Sequence, residues 1–212
     1  MEIFKVGHSS VVVSVGNTRI LTDPGGFTDL SLLPHIESLT AVIITHKHSD
    51  HISPDNIQAL LDAKPDLPIY TNSETGVVLS SINAPWQSLE DDTELAIDDI
   101  TVKVWEVPHH PIHDAVPAVK NLALLFNGYF FHPGDALFIP PVPVPVLAMP
   151  FGPFASIGQC MSYGAKIRPE RIIPLHDGYL KEPGPYQSLP NLLWKELGIT
   201  YEWLGAGESI IL

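Results

Sequence analysis

The sequence predicts layered β-sheets flanked by helices, not one doubly wound parallel sheet. Three observations carry this expectation. Strand patterns open the chain, strands alternate with helices through the middle, and strands return at the end. No Gly-rich phosphate loop of either nucleotide-binding type is present. No internal repeat of about 20–50 residues occurs, which excludes a solenoid or propeller. The 212 residues are read as one domain over 1–212, and 45% hydrophobic against 17% charged content is enough to bury a core and to exclude extensive disorder.

The elements follow in order. Ile3–Val6, Val11–Val15 and Thr18–Leu21 are short β-branched runs separated by turn residues, and Asp23-Pro24-Gly25-Gly26 stops the third. Leu39–Thr45 is a continuous apolar run suited to a strand buried on both faces. Ser53-Pro54 opens a helix, with Ser as N-cap and Pro in the first helical position, and Ile57, Leu60 and Leu61 at helical spacing. Leu67–Thr71 reads as a strand and Glu74–Ile82 as a helix. Glu94–Ile97 and Ile100–Val107 pair around Asp98-Asp99. Leu122–Phe131 is a hairpin about Asn127-Gly128, the preferred type I′ pair. Pro140–Pro145 is an extended connection into the strand Val146–Met149. A helix over Phe154–Lys166, a strand over Arg171–Leu175 and a helix over Leu189–Leu197 ended by Gly198 come next. Tyr201–Leu204 and Ser209–Leu212 close the chain as strands.

Composition narrows the function. Eleven Lys and Arg against 24 Asp and Glu give a net charge of −13, which repels phosphate backbones and excludes nucleic acid as the main partner. The single Cys160 forms no internal disulfide. No apolar run is long enough for a membrane span, and the first residues lack the pattern of a signal peptide. A soluble cytoplasmic protein without a membrane partner is expected. Ten histidines in so short a chain stand out, because clustered histidines either titrate near neutrality or hold metal.

The chemistry concentrates in Thr45-His46-Lys47-His48-Ser49-Asp50-His51, directly after the buried strand and before the capped helix. Burying that many polar groups costs free energy unless each is paired, and cations are too few here to pair them. Imidazole and carboxylate together suit Zn²⁺ or another borderline divalent metal. His46 and His48, two apart on a loop, can face one ion, and Asp50 with His51 a second.

This His-x-His-x-Asp-His signature resembles that of the metallo-β-lactamase superfamily, and further motifs appear in order at predicted strand ends. Asp23 matches a structural aspartate beneath the site. His109 or His110 matches the third-motif histidine, with His109 favoured as the first after the strand. Asp135 in Phe131-His132-Pro133-Gly134-Asp135 matches a metal-bridging aspartate, and His176 in Pro174-Leu175-His176-Asp177 the last histidine. Gly7-His8-Ser9-Ser10 and Ala148-Met149-Pro150-Phe151-Gly152 are similar to the ascorbate-6-phosphate lactonase-like branch. The resemblance implies an α+β four-layer αββα sandwich with two divalent ions at one edge, zinc foremost and manganese or iron also served. It places His46, His48 and His109 on one ion, Asp50, His51 and His176 on the other, and Asp135 between.

The expected activity is hydrolysis of an ester, lactone or phosphoester-type bond in a small metabolite. Two ions lower the pKa of a water, polarise the attacked group and stabilise the leaving oxygen. Asp50 orients the water, or acts as general base if one ion binds, and His113 or His8 protonates the leaving group. His132 and Asp177 are expected to orient ligating histidines. Lys47 is either a phosphate contact or a solvated cation. Leu180–Pro190 reads as a pocket wall or a plain surface loop, and Pro140–Pro145 as a potential contact in a homo-oligomer. A non-hydrolytic metal-binding protein and a diiron redox protein are the alternatives on the same ligands.

Overall fold

The β-branched runs at the N-terminus form an antiparallel meander, β1 (Glu2–Gly7), β2 (Ser10–Val15) and β3 (Thr18–Thr22). The computed structural model describes residues 1–33, 35–181 and 184–212. The chain then crosses into parallel pairing. The apolar run forms β4 (Ala41–Ile43) beside β3, and β5 (Ile69–Thr71) and the short β6 (Gln87–Ser88) extend the sheet. Between them lie α1 (Pro54–Ala63), capped by the Ser53 hydroxyl on Asn56 N, and α2 (Ser73–Ser81), capped by Asn72 on Thr75 N. Two-residue β6 has no alternation to read, and the sequence pattern does not reveal it.

The second sheet repeats this plan. β7 (Glu94–Ile97), β8 (Ile100–Pro108), β9 (Lys120–Phe126) and β10 (Phe130–His132) are antiparallel neighbours. Asn127 and Gly128 both take positive φ, 49° and 65°, as a type I′ turn requires. β11 (Val146–Pro150), β12 (Arg171–Leu175) and β13 (Thr200–Tyr201) then add in parallel. The last strand, β14 (Ser209–Ile211), returns to the first sheet beside β1. The orders are β14-β1-β2-β3-β4-β5-β6 and β13-β12-β11-β10-β9-β8-β7.

Helix α3 (Ile157–Ile167) starts three residues later than the sequence pattern suggests. Ser156 and Gln159 form a reciprocal capping box there, which leaves Phe154 outside the helix and free to face a cleft. Helix α4 (Gly184–Glu196) begins five residues before the expected Leu189 and runs through Pro190. Proline has no N–H for the carbonyl four residues back. The Tyr201 hydroxyl donates to that carbonyl, Tyr186 O, at 2.8 Å. Of the segment read as pocket wall or surface loop, Glu182 and Pro183 lie outside the described residues, and the part from Gly184 onward is helix.

Packing resolves into three apolar zones. Ile3, Val13, Ile20 and Ile43 of the first sheet meet Val102, Leu124, Phe126 and Ile173 of the second, so the main core lies between the sheets. Outside the first sheet, Ile57, Leu60 and Leu79 of the helices cover Val12, Leu21 and Val42. Outside the second, Cys160, Tyr163 and Trp194 cover Leu147, Met149 and Ile172. This is the four-layer αββα sandwich. Among the described residues no helix is long and apolar enough to cross a membrane.

The pairings also fix strand directions. β1 and β3 run the same way as β4, and β8 and β10 the same way as β11 and β12. The residues that follow these strands are His8, Asp23, the His46–His51 loop, His109, Asp135 and His176. They meet one another at a single edge of the sandwich.

Candidate metal centre

The turns at this edge are tightly set. His8, Asp23 and His176 take positive φ, 51°, 44° and 61°, which is uncommon for residues with a side chain. Such backbone costs on the order of 1–3 kcal/mol and persists where surrounding contacts over-determine it. Here His176 N–H donates to His8 O at 3.1 Å, tying the ends of β12 and β1. A Cβ on Gly25 would lie 1.9 Å from Asp50 O, so only glycine lets the Asp23 turn press against the histidine loop. Gly134, at φ 59°, does the same at the Asp135 turn, where a Cβ would meet Asn121 Oδ1 at 2.1 Å.

Hydrogen bonds fix which nitrogen of each ring carries the proton. Thr45 Oγ1 donates to Asp23 Oδ2 at 2.8 Å and so accepts from His46 Nδ1 at 3.0 Å, leaving His46 Nε2 as a lone pair. His51 Nδ1 donates to Asp23 Oδ2 at 2.8 Å, His109 Nδ1 to His110 O at 2.5 Å, and His176 Nδ1 to Phe151 O at 3.2 Å. In the neutral imidazoles their Nε2 atoms are therefore the unprotonated positions. His8 and His132 are the reverse. Their Nδ1 atoms accept from the backbone N–H groups of Gly178 and Gly134, at 3.0 and 3.1 Å. Each Nε2 then carries a proton, given to Asp50 Oδ2 at 3.2 Å by His8 and to Ser9 O at 3.0 Å by His132.

The potential ligand atoms converge in two groups. His46, His48 and His109 form one, with His46 Nε2 and His48 Nδ1 only 3.0 Å apart. Asp50, His51 and His176 gather in the other, where His176 Nε2 and His51 Nε2 lie 3.2 and 3.9 Å from Asp50 Oδ2. Asp135 stands between. Its Oδ2 is 3.4 Å from His109 Nε2 and 2.9 Å from His176 Nε2, and its Oδ1 is 3.4 Å from His51 Nε2. Donors around a tetrahedral ion with bonds near 2.1 Å stand about 3.4 Å from one another, so these separations fit. Among the described residues, four buried side-chain N or O atoms lack a hydrogen-bond partner, and three of them belong here: His51 Nε2, Asp135 Oδ1 and His176 Nε2. Buried polar atoms are ordinarily paired, so atoms left bare and aimed at one another are what a metal site requires.

Burial and the carboxylates set the charge of each ring, and without a metal they favour a second proton on His51 and His176 that a bound ion would displace. Burial holds His46 well below the ordinary histidine range and lowers His48. His51 is driven the other way: burial opposes its charge, but Asp135 and Asp23 outweigh it and raise it well above 6.5. His176 is raised in the same manner by Asp135 and Asp50 against burial. Asp50 and Asp135 lie below the carboxylate range, burial being overcome by His176 and His8 for Asp50 and by His51 and His176 for Asp135.

The structure also settles where the remaining candidates go. Asp23 sits beneath the cluster, its Oδ1 on Thr45 N at 2.7 Å and its Oδ2 on His51. His109 enters the cluster, whereas the His110 ring lies toward Gln159, 3.5 Å away, and Phe154. Asp177 does not orient a ligating histidine. It pairs instead with buried Lys5 at 2.7 Å, because Lys5 is 1% exposed and needs a counter-charge. His113 is not brought to the cleft: its ring is exposed and its Nδ1 accepts from Ala115 N at 3.0 Å, closing its own turn. His8 is packed on His176 with ring centres 4.0 Å apart, and its side chain is fully buried, so a leaving group cannot reach it. His132 bonds Ser9 O and Gly134 N rather than a ligating histidine. Lys47 is held at 2.7 Å by Glu74.

Sequence reasoning missed Asn121 and Thr45. Asn121 is buried, accepts from Asp135 N at 3.0 Å and donates to Pro133 O at 2.9 Å, so it sets the Asp135 turn. Thr45 O accepts from Leu122 N of β9 at 2.9 Å and from Asn72 Nδ2 at 3.0 Å, joining the two sheets at the site. A buried polar residue inside an apolar strand is a signal for Asn121; nothing local marks Tyr179. Tyr179 lines the cleft of about 250 Å³ that opens above the cluster, with Ile112, Pro153 and Phe154.

Comparison with known proteins supports the same reading. The beta-lactamase superfamily domain matches residues 2–176. Protein Rv0786c of Mycobacterium tuberculosis is 33% identical over 182 residues, covering 83% of this chain and 84% of that protein. Hydroxyacylglutathione hydrolase of Xylella fastidiosa is 28% identical over 150 residues, which are 70% of this chain and 55% of that enzyme. In structure, Igni18, a metallo hydrolase of Ignicoccus hospitalis, superposes with TM-score 0.74 over 99% of this chain and 97% of its own, at 19% identity. With most of its length matched and its sheets, helices and edge cluster in place, the chain belongs to the β-lactamase superfamily and has the metallo-β-lactamase fold.

Proposed function

We propose that the chain is a metal-dependent hydrolase of small molecules with a binuclear centre. His46, His48 and His109 hold one divalent ion, Asp50, His51 and His176 the other, and Asp135 serves both. The observation that carries this is the convergence of ring nitrogens and carboxylate oxygens in two adjoining groups, with three of those buried atoms left without a hydrogen-bond partner. The histidine-rich ligand set favours zinc, and manganese or iron is also served. Bound there, such ions supply Lewis acidity and a water made acidic enough to attack near neutral pH.

The protein's own part follows from exposure and hydrogen bonding. Asp50 is 12% exposed at its side chain, more open than Asp135 at 3%, so it faces the cleft and orients the attacking water. His8 Nε2–H holds Asp50 Oδ2 from behind, and Asp23 holds His51. Ester, lactone and phosphoester-type bonds are the substrates this arrangement suits, and the −13 net charge argues against nucleic acid.

Elemental mass spectrometry on protein purified without chelator tests the reading. About two ions per chain are expected, falling in His48→Ala and Asp135→Ala, together with hydrolysis of generic lactone or ester substrates. Iron with visible absorbance would favour a redox role. No metal after reloading with Zn²⁺ or Mn²⁺, or full activity in His48→Ala, would overturn the assignment.

A further inference from the structure

The cleft above the cluster has a divided lining. Its floor is polar, with His48, Asp50, His109, Asp135 and His176 beside Ser49, and one wall is built of Ile112, Pro153, Phe154 and the ring of Tyr179, whose hydroxyl end faces Asp50. Phe27 packs edge-on against Tyr179 with ring centres 4.8 Å apart and lengthens that wall. Ile112 is 56% exposed, Tyr179 48% and Phe27 43%. Large apolar side chains gathered in water around a polar floor are what an apolar occupant would cover. Among the described residues, none lining the cleft is Lys or Arg. Lys47, the cation inside the histidine motif, is held by Glu74 Oε1 at 2.7 Å, and Glu74 Oε2 accepts from Lys120 N at 2.7 Å. A phosphate or carboxylate placed away from the scissile bond would therefore meet apolar walls on a chain of net charge −13, with no Lys or Arg among the described lining residues to receive it.

We propose that the cleft takes an uncharged ester or lactone with an alkyl or aryl body beside the scissile bond. Ile112 and Tyr179 are the specificity-determining contacts, and analogues carrying a remote phosphate or carboxylate are discriminated against. This rests on the hydrolytic reading above and narrows its substrate class. The volume of about 250 Å³ is below the range of about 300–1,000 Å³ for drug-sized ligands, so the body is small.

The test uses metal-replete protein and a series of δ-lactones with alkyl tails of increasing length, beside the same ring bearing a phosphate or carboxylate. The specificity constant kcat/KM rises about twofold per methylene, mostly through KM, since each half-buried methylene recovers about half its transfer free energy. Anionic members run at least about tenfold slower than neutral ones of equal size. Ile112→Ser and Tyr179→Ser flatten the length dependence, and Ile112→Arg narrows the gap between anionic and neutral members. Calorimetric binding of the uncleavable lactams with the same tails gives an independent slope. Turnover without any length dependence, or a preference for the anionic members, overturns the substrate class and leaves hydrolysis standing. A binding slope without turnover of any lactone keeps the apolar cleft and removes the hydrolytic reading.

Discussion

Asp23→Asn separates a residue that holds a ligand from one that merely fills space. The Asp23 carboxylate is buried and accepts three hydrogen bonds, from Thr45 N at 2.7 Å, Thr45 Oγ1 at 2.8 Å and His51 Nδ1 at 2.8 Å. The amide is the same size but donates from one side. With its nitrogen at the Oδ1 position it meets the Thr45 N–H donor. With its nitrogen at the Oδ2 position Thr45 Oγ1 can turn to accept, and His51 must shift its proton to Nε2. The second orientation removes the His51 lone pair that faces Asp135. Hydrogen bonds to a charged acceptor are worth about 1.5–3 kcal/mol each, so weakening two costs about 2–4 kcal/mol after partial replacement by the amide. For a chain of 212 residues that lowers Tm by about 5–15 °C. Losing the orientation of one ligand costs about 10–100-fold in affinity for the ion it helps hold. Metal titration followed by elemental analysis should show one ion retained at wild-type affinity and the other weakened by that factor. Nitrogen NMR of the His51 ring should report a proton on Nε2. Two ions bound at wild-type affinity in Asp23→Asn would refute the reasoning.

Three further outcomes are expected. His8→Phe should keep its metal content and lose about 10–100-fold in kcat, because a ring whose Nδ1 accepts from Gly178 N cannot offer Nε2 as a lone pair; loss of an ion in that variant would make His8 a ligand after all. Metal uptake near pH 7 should release protons, since His51 and His176 are held above 6.5 by Asp135, Asp23 and Asp50. By the same sign, the stability these two groups give the metal-free protein is full below about pH 6.5 and is lost as pH rises through their raised values, whereas metal affinity grows with pH over that window. Calorimetry in buffers of different ionisation enthalpy checks this, and a heat independent of buffer would contradict it. Tyr201→Phe should cost about 1 kcal/mol by leaving Tyr186 O bare opposite Pro190, and Pro190→Ala in that background should recover most of the loss by supplying the missing N–H; denaturant titration of the double-mutant cycle measures the coupling, and additive effects would exclude it.

Much of the architecture is legible in local pattern. The β-branched runs of β1–β3, the Ser53-Pro54 start of α1 and the Asn127-Gly128 turn each depend on a few neighbouring residues, and each forms as the pattern implies. The departures have non-local causes. Helix α4 reaches back through Pro190 because Tyr201, on another element, satisfies the carbonyl that proline leaves open. Helix α3 starts at Ile157 because the Ser156–Gln159 box sets its first turn there, although the sequence pattern reads as helix from Phe154. Asp177 stands beside His176 in sequence, yet its partner Lys5 is 172 residues away.

Which residue types are candidates for the site is readable from the linear pattern. His46, His48, Asp50 and His51 lie within one loop, and their residue types state a preference for a divalent metal before any contact is known. How their ring nitrogens are oriented and what holds them is visible only in the folded chain. The sequence favours His109 over His110 only by its place directly after the strand, and the ring that enters the cluster is that of His109, whose Nδ1 meets His110 O. His8 and His176 follow strands and His132 ends one, and the backbone groups that their Nδ1 atoms meet set which nitrogen of each neutral ring carries the proton. The neutral imidazole has one proton and two nitrogens. Its role is set by whichever nitrogen the fold has already claimed, and that claim is made by residues a linear pattern does not place side by side.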